Sequence, residues 1–423
     1  MISEETCQAY SAILHQELIA AMGCTEPIAI AYAGALVRET LGALPEKLDL
    51  IVSPNIIKNA KSAVVPNTDG LKGLPAAVAA GAAAGRADKQ LEVIAFIDDE
   101  GRRAARRFLE ICPITITPAT GDEVFDIVAT AYAGSDTARV RITGGHTNIV
   151  LREKNSKVLF SAPVEGTPEK NAAYAQLNVT DIYDYAVNAP LEPTWDLIEN
   201  QIRCNTAIRD EGLTGKWGAA IGQTLRLSAD DVETRACAAA AAGSDARMSG
   251  CELPVVINSG SGNQGLTASL PVIEYAEGFK VDRDTMHRAL LLSNLLTIHL
   301  KTGIGCLSAY CGAISAGCAA GGAIAWLCGG DLSAVQHTIV NALAILSGTV
   351  CDGAKPSCAA KIACSVHAGI LGWKMFRNGH QFYSGDGLVT KGVENTIDNI
   401  SRVGREGMRE TDHKIIDIML HNS

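Results

Sequence analysis

The chain predicts an α+β protein: a mainly α-helical domain with an α/β, sheet-containing lobe in its N-terminal part. Three observations carry that prediction. Short apolar–polar alternations cluster between about residues 47 and 162, and helical periodicity takes over from about residue 167 almost to the end. Gly (41 residues) and Ala are abundant while aromatic residues make up 5%, which favours closely packed small-residue helices over an aromatic-rich sandwich. At 423 residues, two domains or one large domain with an insertion is the expected organisation.

Residues 4–42 read as two helices, the first carrying Ile13, Leu18 and Ile19 and the second running from about 26 to 41. Thr25 suits an N-cap and Pro27 a first turn. Cys24 is therefore expected beside free N–H groups at the positive helix end, a setting that lowers a thiol's pKa. Strands are expected at 48–52, 91–97, 114–117, 125–129, 138–142 and 148–151, with covering helices near 75–85 and 101–110. Further helices are expected at 172–187, 195–209, 232–241, 283–299, 306–327, 332–347, 358–377 and 412–420. No fixed-period repeat or low-complexity linker interrupts them. The reading divides the chain into N-terminal helices (1–46), an α/β lobe (47–165) and a mainly helical part (166–423).

Net charge is −10, and 19% of residues are charged, which makes nucleic acid and anionic membrane surfaces poor partners. Residues 302–330 carry no charge, a run long enough to span a bilayer. Their Gly, Ala, Ser and Cys content favours instead a buried helix of a protein without a membrane span. Thirteen cysteines, an odd number, follow a polar, acidic opening from Met1 to Glu5. Free thiols in a reducing cytoplasm are the expectation. Small-residue helical surfaces are compatible with a homodimer.

Chemistry concentrates in Cys351-Asp352-Gly353-Ala354-Lys355-Pro356-Ser357-Cys358, two thiols around a Gly/Pro turn, with Cys311 in the nearly uncharged stretch before them. Soft thiolates in a dry setting suit an iron–sulfur cluster or zinc. Gly353 and Pro356 break any helix between the pair, so Cys351 is expected to end one helix and Cys358 to open the next. Cys318 shares a helical face with Cys311, and Cys306 does not.

A second feature is Asn258-Ser259-Gly260-Ser261-Gly262-Asn263-Gln264-Gly265. Its glycines bring backbone N–H groups close to an anion, a phosphate or a carboxylate, with Ser259, Ser261, Asn263 and Gln264 supplying polar side chains. It lacks the Gly-Lys-Ser/Thr of a P-loop. His146, in a Gly-Gly-His-Thr-Asn segment between two strands, is a candidate acid, base or anion ligand, or a hairpin cap. Asn55 and Lys58 follow the first strand, and Arg247 offers a guanidinium for bidentate carboxylate binding. Gly215-Lys216-Trp217-Gly218 reads as a loop.

Taken together, eight segments resemble the L-cysteine desulfidase family, which is related to the iron–sulfur alpha chain of bacterial L-serine dehydratases. They are Gly23-Cys24-Thr25-Glu26-Pro27, Ser53-Pro54-Asn55, Gly145-His146-Thr147-Asn148, Gly215-Lys216-Trp217-Gly218, Ser244-Asp245-Ala246-Arg247-Met248, Ser259 to Gly265, Leu307 to Gly312, and Cys351 to Cys358. The match runs nearly end to end. It implies a [4Fe–4S] cluster with one open iron, held by Cys311, Cys351 and Cys358. It also implies a helical domain, 166–423, that is catalytic and cluster-binding. The interval from Cys351 to Cys358 is shorter than in serine dehydratases, which favours the desulfidase branch.

The implied reaction is β-elimination on L-cysteine to sulfide, pyruvate and ammonia. Cys24 is the candidate base. The 259–265 loop with Arg247 or Lys58 is expected to hold the substrate carboxylate, and His146, Asn148 and Asn55 to orient the substrate. Competing readings are an L-serine dehydratase using the same cluster, a pyridoxal-phosphate lyase built on the glycine loop with Lys58, Lys355 or Lys361, and a non-catalytic iron–sulfur redox sensor.

Overall fold

The computed structural model describes residues 2–121, 123–164, 172–305 and 307–421. Helix α1 (Glu4–Glu17) opens on Ser3, whose hydroxyl accepts from the Thr6 N–H at 3.1 Å. Strand β1 (Ala20–Met22) leads into α2 (Thr25–Leu41), which closes on Gly42 at φ 78°, the left-handed cap that glycine tolerates best. Strand β2 (Lys47–Val52) buries Leu48, Leu50 and Val52 on one face, as period-2 alternation requires. Helices α3 (Pro54–Ala60), α4 (Gly73–Ala84) and α5 (Asp99–Ile111) follow.

Strands β3 (Ile114–Pro118), β4 (Asp126–Ala133), β5 (Asp136–Thr143), β6 (Ile149–Lys154) and β7 (Lys157–Ser161) complete a six-stranded sheet of order β3-β2-β4-β5-β6-β7. Only the β2–β3 pair is parallel. Helix α2 lies on this sheet and crosses α4 at close range. A Cβ on Gly81 would stand 1.8 Å from the Ala31 carbonyl oxygen, so the crossing admits glycine alone.

The 91–97 strand does not form. Residues 87–92 are a 3₁₀ turn, and Leu91, Val93 and Ile94 are buried beneath α2 and β1. The Ile94 and Ala95 carbonyls accept from the Asn67 amide at 2.9 Å each, so these backbone acceptors are satisfied without a sheet partner.

The helical part comprises α6 (Val179–Asn188), α7 (Trp195–Thr214), α8 (Ile221–Ser228) and α9 (Val232–Met248), then β8 (Pro254–Val256), α10 (Gly262–Phe279) and α11 (Arg283–Thr302). It continues with α12 (Gly312–Leu327), α13 (Leu332–Ile345), α14 (Cys358–Arg377), α15 (Val393–Arg402) and α16 (Arg409–His421). Helix α6 begins later than periodicity suggests because Asn178 caps it, accepting from the Asp181 N–H. The helix expected from 306 begins at Gly312, and Cys306 lies outside the described residues. Strand β8 pairs antiparallel with β1, tying the chain's opening to the helices.

Helix α12 sits at the centre, packed on α10, α11, α13 and α14, and every residue from 313 to 325 is buried. That surround explains the uncharged run without a bilayer. Among the described residues, no helix is long and apolar enough to cross a membrane. The twelve described cysteines are all free thiols.

Candidate active site

The start of α2 is set against the start of α10 and against α3. Cys24 is the N-cap residue of α2, and its Sγ donates to Glu26 Oε2 at 3.1 Å. Thr25 Oγ1 reaches the same oxygen at 3.2 Å and the Gly260 carbonyl at 2.9 Å. From α3, Asn59 Nδ2 donates to Glu26 Oε1 at 3.2 Å. Glu26 is thus a buried carboxylate with three neutral donors.

Charges here follow from burial and neighbours. Burial pushes the Glu26 carboxyl up, but His146, the Cys24 thiol, the helix-start N–H and Arg247 outweigh it, and the net direction is down. For Cys24 the helix-start expectation fails. Burial first, and the Glu26 charge second, push its thiol well above the ordinary value, and Arg247 does not compensate. Cys24 therefore rests as a thiol. Burial also drives His146 down against the pull of Glu26, leaving a neutral imidazole.

The 258–265 loop forms a tight turn leading into the start of α10. Asn258 and Ser261 exchange backbone hydrogen bonds, Ser259 and Gly260 take φ of 49° and 74°, and α10 opens at Gly262 with Ser261 as its N-cap. Gly260 packs on His146, whose Cε1 would lie 3.1 Å from a Cβ there. Arg247, at the end of α9, lies across Gly262. A Cβ at Gly262 would stand 2.3 Å from Arg247 Nε, so glycine makes the room for the guanidinium. Arg247 Nη1 donates to Asn263 Oδ1 at 3.1 Å. Ser259 Oγ is used locally on Asn258 Oδ1 at 2.8 Å.

The three cysteines meet. Tyr310 and Val350 form an isolated antiparallel bridge, with Cys311 N–H on the Thr349 carbonyl (3.0 Å) and Cys351 N–H on the Ala309 carbonyl (2.6 Å). This sets Cys311 and Cys351 side by side. Their thiols hydrogen-bond, which holds the Cys351 thiol down, with help from Lys58, and the Cys311 thiol up. Cys358 is close enough for its charge to act on both Cys311 and Arg247. Cys358 opens α14 as expected, and Cys311 is the N-cap of α12. Cys351 does not end a helix. Helix α13 stops at Ile345, and Cys351 instead follows Val350 in the isolated bridge to Tyr310.

Gly353 locks the turn to α3, since a Cβ there would lie 2.3 Å from the Lys58 carbonyl oxygen. Cys318 lies in the core, its thiol pushed to about 12 by burial.

A donor set of three soft thiols, two of them at helix starts, fits an iron–sulfur group. Among the described residues no group of three or more His, Cys, Asp or Glu side chains forms a metal-ion site.

Of the eight buried side-chain polar atoms lacking a partner among the described residues, four lie on expected site residues: Asn55 Oδ1, His146 Nε2, Arg247 Nε and Gln264 Oε1. Gln264 packs on Gly312, joining the glycine loop to the start of α12. Other expected residues are committed elsewhere. Lys58 forms a buried ion pair with Asp412 of α16, and Asn148 Nδ2 holds its own hairpin through the Thr143 carbonyl at 2.9 Å. Lys355 and Lys361 both pair with Asp352, so none of the three Schiff-base candidates is uncommitted. Gly215–Gly218 is a loop, with Gly218 packed on Asp245 and Ser249. Glu26 and Asn59 were not expected in the site. An acidic first-turn residue ordinarily reads as a solvated helix start, and the available signal was its place between Cys24 and the apolar run from Ile28 to Val37.

Comparison with known proteins gives a consistent neighbourhood. The serine dehydratase alpha chain family matches residues 88–417. A UPF0597 protein of Desulfitobacterium hafniense (strain Y51) is 53% identical over 421 residues, covering 98% of this chain and 97% of that protein. A UPF0597 protein of Finegoldia magna is 48% identical, covering 97% and 99%, and one of Treponema denticola is 42% identical, covering 98% of each.

Proposed function

The chain belongs to the serine dehydratase alpha chain family, and from that premise we propose that it is a lyase performing β-elimination on L-cysteine to give sulfide, pyruvate and ammonia. The observation that supports the reading is a set of unpartnered buried polar atoms on the candidate segments, Asn55 Oδ1, His146 Nε2, Arg247 Nε and Gln264 Oε1, together with three thiols near enough to act on one another. Orphaned buried polar groups are unfavourable unless a ligand completes them.

Cys311, Cys351 and Cys358 would hold a [4Fe–4S] cluster. When bound, such a cluster supplies a Lewis acid that stabilises negative charge on the departing β-substituent. Arg247 and the opening N–H groups of α10 hold the substrate carboxylate, which fixes the Cα–H bond relative to Cys24. Cys24, as its thiolate, takes the α-proton; its own thiol proton must first pass out to solvent, with Glu26 remaining ionised. His146, neutral, accepts or donates a hydrogen bond without adding charge. Loss of the Cα proton and of the β-substituent leaves aminoacrylate, which tautomerises and hydrolyses to pyruvate and ammonia. The protein acts in the cytoplasm on a free amino acid, without nucleic acid or membrane partners.

A second reading, L-serine as substrate, is favoured by the family's own description. The test is anaerobic reconstitution with iron and sulfide, followed by assays with L-cysteine and L-serine. Sulfide and pyruvate released together, only with iron bound, support the desulfidase reading. Pyruvate from L-serine alone makes the protein a dehydratase. Bound iron with no product from either points to a redox sensor, and failure to bind iron removes the cluster.

A further inference from the structure

Two opposite charges, Glu26 and Arg247, lie buried in the site, near enough to act on each other electrostatically but not in a direct ion pair. Glu26 is 8% exposed and Arg247 3%. The hydrogen-bond donors on Glu26 are a thiol, a hydroxyl and an amide, and the acceptor on Arg247 is the Asn263 amide oxygen, all uncharged. Among the described residues neither forms an ion pair. Buried charge of this kind is strongly unfavourable until a partner of opposite sign arrives.

The two charges also sit on separate, braced elements. Glu26 is in the first turn of α2, fixed by Asn59 from α3. Arg247 is at the end of α9, seated on Gly262 with its Nε unpartnered. Between them run the Thr25–Gly260 hydrogen bond and His146, whose Nε2 is sealed from solvent and also unpartnered. A negative and a positive group held apart across dry polar atoms complement a zwitterion.

We propose that Glu26 is the α-ammonium anchor of this site, opposite Arg247 as the carboxylate anchor, so that the protein selects free α-amino acids over their deaminated analogues. The proposal deepens the lyase reading and rests on it. It assigns Glu26 a binding role beyond the local one of bracing Cys24, Thr25 and Asn59.

The test is calorimetric binding to the reconstituted protein. The probes are L-2-aminobutyrate, which has no β leaving group, and butanoate, the same molecule without its ammonium group. Wild-type protein is expected to prefer the amino acid. Glu26→Gln should shrink that preference by roughly ten- to hundredfold, the range of one charged hydrogen bond, while leaving butanoate affinity unchanged. Glu26→Asp, which keeps the charge, should restore part of the preference. It also carries the test if the amide variant fails to fold.

Equal weakening of both ligands in Glu26→Gln, or an intact preference, overturns the proposal and leaves the lyase reading standing. A wild-type protein that binds no α-amino acid overturns both.

Discussion

Helices α12 and α14 each begin at a candidate cluster cysteine, and they cross at glycines. A Cβ on Gly369 would stand 2.2 Å from the Gly317 carbonyl oxygen, and one on Gly321 2.5 Å from Gly369 Cα. Real Cβ atoms do not approach closer than 3.0 Å, so in Gly369→Ala the helices must part by about 0.8 Å at the crossing. The obstacle is backbone, which cannot swing aside, so the strain belongs at the upper end of overpacking, about 3 kcal/mol. Alanine's better helix propensity returns about 1 kcal/mol, leaving a net loss of about 2 kcal/mol.

With unfolding entropy scaling with chain length, that is a fall of roughly 2 °C in melting temperature. The same parting displaces the helix starts that carry Cys311 and Cys358, so iron bound per chain should drop as well. Differential scanning calorimetry and iron analysis on anaerobically prepared protein measure both. Gly121→Ala, with nothing within 4 Å of its Cβ position, is the neutral control. A Gly369→Ala protein that melts at or above wild type with full iron would refute the argument that this crossing sets the thiol positions.

Cys351→Ala should abolish iron binding, whereas Cys318→Ala, which removes a thiol facing the core, should retain it. Asp412→Ala strands the buried Lys58 ammonium and should destabilise by about 3–5 kcal/mol, read by urea denaturation, with α16 opened to limited proteolysis. Asp331→Ala removes the cap on the Ala334 N–H at 3.0 Å and should cost about 1 kcal/mol in the same assay. The Glu199 carboxyl is held down at about 2 by its hydrogen bonds from Arg283, with His287 helping against burial. A depressed carboxylate stabilises above its ordinary value near 4.5 and loses that contribution as pH falls through about 2. Glu199→Gln should therefore lower the melting temperature at neutral pH and flatten its acid decline across that window.

Much of the architecture was legible because it is local. Alternation at 48–52 and 138–142 fixes which face is buried, whereas α5 starts at Asp99, capped by Asp98, ahead of the expected 101. The 91–97 run misled because apolar β-formers make a strand only where a partner edge exists, and here the Asn67 amide takes up two of the carbonyls instead. Strand β7 was passed over because all five of its residues are exposed, so no buried face patterns it.

At the candidate site, the glycine loop, Arg247 and His146 could be named from residue type and spacing, and the set of three thiols from the family resemblance. Their states could not. Cys24 was expected to be acidified by its helix start, yet burial and Glu26 act more strongly and in the opposite direction. Lys58 looked like a free cation until a residue far along the chain, Asp412, took it up.

By itself, then, the sequence determined the fold class, the face that alternating strands bury and which soft and polar groups are available, because propensity, periodicity and donor chemistry act over a few residues. Only the tertiary structure decided which thiols meet, which cations are already paired, and that Glu26 and Arg247 are buried near one another without an ion pair. Burial and Coulomb terms depend on distances between segments hundreds of residues apart.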